Sequence, residues 1–425
     1  MPSRPGRRLV ALAAAGWALL AWLATHRSRS PNYFARYSPE YLSLLGFVLV
    51  LALLLTAIAV FGVRRPARLS ALHWGGSLAL MLGATVLSLA AAEILVRSFD
   101  LLGVSFFEEV THYVLDLEGD DALVYKHRAG LRTVYQNVPF TTNELGLRDR
   151  PVPEPSSDTL RVLILGDSVT LGWGVPVEAT FARRLEGTLG ARLGRPVRTI
   201  NSAAAGYNTE QELAFLRRHI VSMAPDLVML VYIENDVEPE ATNVLDMKER
   251  WQHPPGANAF LLRWSWLYRL LYYTLPDHLG STGRPPDTSG WSRSMNALAE
   301  AQRLARSHGV PFVVFLFRML PDEVTDALWR DISLVAGVEG FPLVDTLGWF
   351  RGVPVRSLVN SFVDTHPNAE GHRILAEGMA RALVDSGALC RSGSVAGASA
   401  CPPGAKDAPA AGGQPRTTED RGPGR

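Results

Sequence analysis

The 425-residue chain has 42 basic and 41 acidic side chains, a formal net charge of +1 and 47% hydrophobic residues. Near neutrality, with no basic stretch interleaved with aromatics, excludes electrostatic steering toward nucleic acid, while the length allows more than one domain. The apolar residues are unevenly spread: three long runs fall in the first hundred positions, and the remainder has the pattern of a water-soluble domain.

The runs cover about 9–25, 41–63 and 72–94 and predict three transmembrane helices. The second has 23 uncharged residues, roughly 35 Å as a helix and enough for a ~30 Å hydrocarbon core. The first, behind Arg4, Arg7 and Arg8, also fits a secretory signal. Ala21-Trp22-Leu23-Ala24-Thr25 makes a poor cleavage site, however, and two further spans follow. Arg4, Arg7, Arg8, Arg64, Arg65 and Arg68 flank the spans on one side, against Arg27, Arg29, Arg36 and Arg97 on the other. The positive-inside rule then sets the amino terminus in the cytoplasm and everything after about residue 97 on the periplasmic or extracellular face of the inner membrane.

Residues 98–160 read as an irregular lead-in and linker. Leu123–Tyr125 and Leu131–Tyr135 predict short strands, Asn143 and Gly146 a turn, and Pro151, Pro153 and Pro155 a linker. From residue 161 to 389 strands and helices alternate. Strands are predicted over Arg161–Leu165, Val197–Ser202, Leu227–Ile233, Pro311–Phe317 and Phe341–Val344. Helices are predicted over Ala179–Leu193, Glu210–Met223, Trp291–Ser307, Asp322–Val335 and Ala369–Val384. This predicts a parallel five-stranded sheet covered on both faces, a three-layer α/β/α sandwich of flavodoxin-like type.

Glu238–Gly290 interrupts the alternation. Within it, Asn258–Thr274 is apolar on most sides and reads as a helix packed onto the domain, as a lid, or as a surface lying on the membrane. Cys390 and Cys401 either pair in an oxidising compartment or are two unremarkable residues of a tail. Positions 390–425, rich in Gly, Ala, Pro and Ser, predict disorder. Neither cysteine has metal-ligand spacing, and no metal or organic cofactor is expected.

Ligands of open parallel sheets bind outside the carboxyl ends of the strands. After the first strand comes Gly166-Asp167-Ser168; after the second, the loop through Gly206; after the third, Asn235-Asp236; and after the fifth, Asp364-Thr-His366. Ser168 is a candidate nucleophile and needs a base, which His366 can supply. Asp364 can orient the imidazole. The N–H groups of Ser168 and Gly206 and the side-chain amide of Asn235 can serve as oxyanion donors. His372 reads as structural.

On these residues the segment from about 161 to 386 resembles the SGNH, or GDSL, hydrolases. Gly166-Asp167-Ser168, Gly206, Asn235-Asp236 and His366 match the four blocks, and Asn143-Glu-Leu-Gly-Leu-Arg148 resembles a segment that precedes the catalytic domain in many members. The resemblance implies a serine esterase acting through an acyl-enzyme. The family commonly has its aspartate three residues before the histidine; here Val363 stands there and Asp364 is two before. The expected substrate is a carboxylic ester, a short acyl group on an envelope glycan or a lipid. Two alternatives stand beside it: an O-acyltransferase delivering the acyl group to a polysaccharide hydroxyl, and a non-catalytic envelope-assembly protein keeping the fold.

Overall fold

The structure is a computed structural model and describes residues 4–25, 39–63, 72–99, 104–237, 248, 257–272, 289–321, 323–361, 364–386 and 389. The chain divides into two compact units, one of 1–108, 254–284 and 362–364, the other of 109–253, 285–361 and 365–425. The tail from 390, with both cysteines, lies outside the described residues.

The first unit contains helices α1 (Arg4–Thr25), α2 (Pro39–Val63) and α3 (Leu72–Phe99) at the three apolar runs. Small residues bring α1 against α2, with Gly16 facing Ala52, and the Trp17 indole donates to Thr56 Oγ1 at 2.8 Å. Among the described residues no helix is long and apolar enough to cross a membrane. Many side chains within the expected spans fall outside those residues.

The insertion supplies a helix, Ala257–Trp264, and a second helical stretch, 266–272, to the same unit. Glu93 near the end of α3 accepts from the backbone N–H groups of Trp266 and Leu267 and from the Ser265 hydroxyl. It thereby caps the otherwise unpartnered donors of the second stretch. Arg97 donates to the Trp264 carbonyl, and Phe260 and Trp264 remain largely exposed.

In the second unit the parallel sheet runs β6-β5-β7-β8-β9. Its strands are β5 (Leu160–Leu165), β6 (Val197–Asn201), β7 (Leu227–Tyr232), β8 (Phe312–Leu316) and β9 (Leu343–Asp345). In chain order this is 2-1-3-4-5, the flavodoxin-like arrangement. β5, β7 and β8 are buried throughout, as strands covered on both faces must be, so they read as unbroken apolar runs. Val162, Ile164, Met229, Val231, Val313 and Phe315 alternate onto one face. That face meets Phe181, Leu185 and Leu189 of α6 (Phe181–Leu193) and Leu375, Met379 and Leu383 of the closing helix Ala369–Asp385. On the other side α7 (Thr209–Met223) packs with the helix Ser289–Ser307.

The lead-in is more regular than its sequence suggests. Helix α4 (Val104–Asp116) is followed by two antiparallel hairpins, β1 (Leu117–Asp120) with β2 (Val124–His127) and β3 (Arg132–Tyr135) with β4 (Val138–Thr141). Gln136 and Asn137, both with positive φ, form the tight β3–β4 turn without a glycine. β2 and β3 fall where the sequence predicts strands, over Leu123–Tyr125 and Leu131–Tyr135, whereas β1 and the Pro139-containing β4 are too short and irregular to give a periodic signal. The following turn is built on Asn143, whose Oδ1 accepts from the N–H groups of Leu145 and Leu147. Gly146 has a φ of 80°, and a Cβ there would lie 2.5 Å from the His127 carbonyl oxygen.

Candidate active site

Strand order decides which loops meet. β5 lies between β6 and β7, so the turn bearing Ser168 is flanked by the Gly206 loop on one side and the Asn235 segment on the other. Register aligns the strand ends: Ile164 pairs with Asn201 on one side and Met229 on the other.

Gly166 lets the chain leave β5 sharply, since a Cβ there would lie 2.2 Å from Thr170 Oγ1. Asp167 then caps the short helix α5 (Ser168–Leu171), its Oδ1 accepting from the Val169 N–H at 3.1 Å. Its Oδ2 takes two further donors, the Ser168 hydroxyl at 2.9 Å and Asn235 Nδ2 at 3.2 Å. One carboxylate oxygen therefore joins the expected nucleophile to an expected oxyanion donor. Burial raises the Asp167 carboxyl above the usual range, opposed by the charge of His366 and by these hydrogen bonds.

Gly206 is exposed, with a φ of 79° that favours glycine. Asn235 is half-buried in the 3-10 turn Glu234–Val237. His366 is half-buried in the loop before the closing helix, its ring centroid 6.4 Å from that of Trp173. Backbone bonds hold this loop: the Asn360 N–H donates to the His366 carbonyl at 3.0 Å, and Asn368 Nδ2 donates to the Ser357 and Val359 carbonyls. Asp364 is buried at 2% exposure. His372 is also buried, and its Nδ1 accepts from the Phe181 N–H at 3.1 Å, a structural position.

Two contributors escaped the sequence reading. Arg148, 3% exposed, donates to the carbonyls of Leu171 at 3.0 Å, Gly172 at 2.6 Å and Val175 at 2.8 Å. It satisfies acceptors left over at the end of the nucleophile helix, and burial lowers its pKa to about 10. Trp173 contacts the rings of Tyr113, Tyr135 and His366, so the lead-in helps wall the site. The signal for Arg148 was its place at the end of the Asn143–Arg148 turn. Trp173 gave none.

A hydroxyl and N–H groups from the adjacent ends of β5, β6 and β7, with an imidazole from the loop that follows the edge strand β9, are the parts needed for acyl transfer through a tetrahedral intermediate. Among the described residues no group of histidines, cysteines and carboxylates could hold a metal ion. This fold, with the family match at residues 164–374, is that of a hydrolase acting on ester bonds. Residues 164–374 match the model of the GDSL-like Lipase/Acylhydrolase family, so the chain carries a domain of that family. No curated protein matches the chain. Solved structures similar to it include TesA, at 18% identity and a TM-score of 0.35, covering 52% of this chain and 97% of that one. A catalytic mutant of an acetylxylan esterase from Geobacillus stearothermophilus is 16% identical, with a TM-score of 0.36 and coverage of 52% and 93%. The psychrotrophic esterase EstA from Pseudoalteromonas sp. is 12% identical, with a TM-score of 0.35 and coverage of 52% and 96%.

Proposed function

We propose that the protein is a membrane-anchored serine esterase that removes short acyl groups from an envelope glycan. Ser168 attacks the ester carbonyl while His366 accepts the hydroxyl proton and returns it to the leaving alkoxide. The tetrahedral oxyanion takes hydrogen bonds from the N–H groups of Ser168 and Gly206 and from Asn235 Nδ2. Water, deprotonated by His366, then releases the carboxylic acid from Ser168. Asp364 orients the imidazole.

The observation that carries this reading is the convergence on Asp167 Oδ2 of the Ser168 hydroxyl and Asn235 Nδ2, from adjacent strand ends. Anchoring is supported by the apolar runs at 9–25, 41–63 and 72–94, and their arginines favour a catalytic unit on the periplasmic or extracellular face of the inner membrane. The exposed Phe260 and Trp264 suit a helix at the headgroup level.

The test is hydrolysis of an aryl acetate and of an acetylated glycan by the full chain in detergent, beside Ser168→Ala and His366→Ala. Both variants are expected to fall to background. Unchanged rates in either variant overturn the mechanism, and product formed only with a sugar acceptor reassigns the reaction as transfer.

A further inference from the structure

The loop that bears Gly206 is held from outside the catalytic sandwich, by the lead-in. Tyr125, on β2 and fully buried, donates its hydroxyl proton to the Ala205 carbonyl at 2.9 Å. Tyr113, on α4 and 3% exposed, accepts from the Ala205 N–H at 2.9 Å. Both polar groups of Ala205 are therefore fixed by tyrosine hydroxyls that come from neither the sheet nor its flanking helices.

The Tyr113 hydroxyl is itself oriented. The Gly146 carbonyl can only accept from His127 Nδ1, so in the neutral ring Nε2 is the acceptor and takes the Tyr113 hydroxyl proton at 2.7 Å, while the Tyr113 oxygen accepts from Ala205. The single ring proton of His127 sits on Nδ1 and is donated to the Gly146 carbonyl at 3.1 Å. A hydrogen-bonded chain thus runs from the Asn143–Arg148 turn through His127 and Tyr113 to Ala205. The loop grips the lead-in in return: the Tyr207 hydroxyl donates to the Tyr125 carbonyl at 2.8 Å, and Gln211 Nε2 donates to the Leu123 carbonyl at 2.6 Å.

The consequence follows from peptide planarity. In a trans peptide the C=O of one residue and the N–H of the next point in opposite directions. Holding the Ala205 carbonyl against Tyr125 turns the Gly206 N–H away from the lead-in. Among the described residues that N–H makes no hydrogen bond, so it is available to a ligand. Gly206 is exposed with a positive φ, and the Tyr207 N–H to Ala204 carbonyl bond at 3.2 Å closes the turn around the Ala205–Gly206 peptide without bonding the peptide itself, so its orientation depends on the clamp.

We infer that Tyr125, seconded by Tyr113, is a positioning residue that sets the oxyanion-hole peptide between Ala205 and Gly206. The inference rests on the serine-esterase reading, in which the Gly206 N–H is an oxyanion donor. It gives the lead-in a part in catalysis: the segment before the sandwich pre-orients one donor of the site.

The test uses the full chain in detergent. Tyr125→Phe and Tyr113→Phe remove one oxygen each, and Tyr207→Phe breaks a bond of the same clamp without touching the Ala205–Gly206 peptide. Rates are taken per site titrated to completion with a fluorophosphonate, so partial unfolding does not count as lost chemistry. Loss of a single oxyanion donor costs on the order of 10²- to 10³-fold in kcat. Tyr125→Phe, which frees the peptide without deleting it, is expected to lose ~10- to 100-fold in kcat with little change in KM. Affinity for an aryl trifluoromethyl ketone, which forms an oxyanion on the serine, falls by the same factor, while Tyr207→Phe, which loosens the clamp but leaves both Ala205 bonds in place, loses less than Tyr125→Phe in both. Tyr125→Phe keeping kcat and ketone affinity within about twofold, while Ser168→Ala is inactive, overturns the inference alone. Activity surviving in Ser168→Ala overturns the serine mechanism and this inference with it.

Discussion

The Ser168 hydroxyl donates to the Oδ2 of its neighbour Asp167 at 2.9 Å. A hydroxyl has one proton, so in this geometry the proton is not offered to an imidazole, and attack requires it to turn. Asp167 also accepts from Asn235 Nδ2, and the carboxylate decides which end of that amide faces inward.

Asp167→Asn tests this role. The amide at 167 must keep an oxygen on the Val169 N–H to preserve the cap, which leaves its Nδ2 facing Asn235 Nδ2. Two donors cannot pair, so the Asn235 amide rotates and loses its aim. The expected cost is the cost of one oxyanion donor, ~10²-fold or more in kcat. A residue that served only as a helix cap would tolerate asparagine, which caps as well as aspartate. An unchanged kcat in Asp167→Asn would sink the orienting role.

Arg148 makes a prediction about stability. Its guanidinium is buried and bonded to three carbonyls that close the turn after Ser168. Lysine brings a charge without the planar fork and cannot reach all three acceptors. Leaving buried carbonyls without donors should lower the unfolding free energy of Arg148→Lys by about 3 kcal/mol. Denaturant melts measure it; a change under about 0.5 kcal/mol, the usual range for surface substitutions, would show that the carbonyls find other partners.

The sheet and its flanking helices were legible because buried parallel strands are continuous apolar runs and the helices keep one apolar face. β7, Leu227–Tyr232, is the plainest case, expected over Leu227–Ile233. The strand ends then located Ser168, Gly206, Asn235 and His366 on one edge. The lead-in was legible only in part: β2, β3 and the Asn143 turn fell where the sequence placed two strands and a turn, but α4, β1, β4 and the docking of the segment did not show, because its stability lies in long-range contacts. Tyr113 reaches Ala205, and Arg148 reaches the turn after α5, across sequence separations that no local pattern reports. The insertion was open to several readings for the same reason: its partner, Glu93, lies far earlier in the chain.

Glu212 and Asp236 are neighbouring buried carboxyls behind the site, and both Glu212 oxygens and Asp236 Oδ1 have no hydrogen-bond partner among the described residues. Burial, with the adjacent acids, raises both well above the ordinary carboxyl range. An acid raised in the folded state favours folding below its unfolded pKa and loses that contribution as pH rises toward the folded value. Glu212→Gln removes the titration and the buried charge beside Asp236. Its melting temperature should exceed that of the parent chain by a margin that widens above pH 4.5. A margin independent of pH would show that Glu212 does not titrate with folding.

His372 has the opposite sign. It is fully buried, its Nδ1 accepts from the Phe181 N–H, and burial lowers its pKa to about 3 from an ordinary 6.5. Protonation of Nδ1 would remove that acceptor and place a charge in the packed layer between α6 and the closing helix. A depressed pKa contributes stability that is present above the unfolded value and lost as pH falls, here from about 6.5 toward about 3. Over that window one group changes stability by about 1.4 kcal/mol per pH unit. His372→Asn can still accept from Phe181 but does not titrate. Its unfolding free energy, although lower at pH 7, should therefore fall less steeply between pH 6 and pH 4, by about one proton's worth of slope. Urea melts at pH 7, 6, 5 and 4 measure both slopes. Parallel lines would mean that another group, His127 included, carries the acid sensitivity, because burial lowers the His127 pKa as well, to about 4.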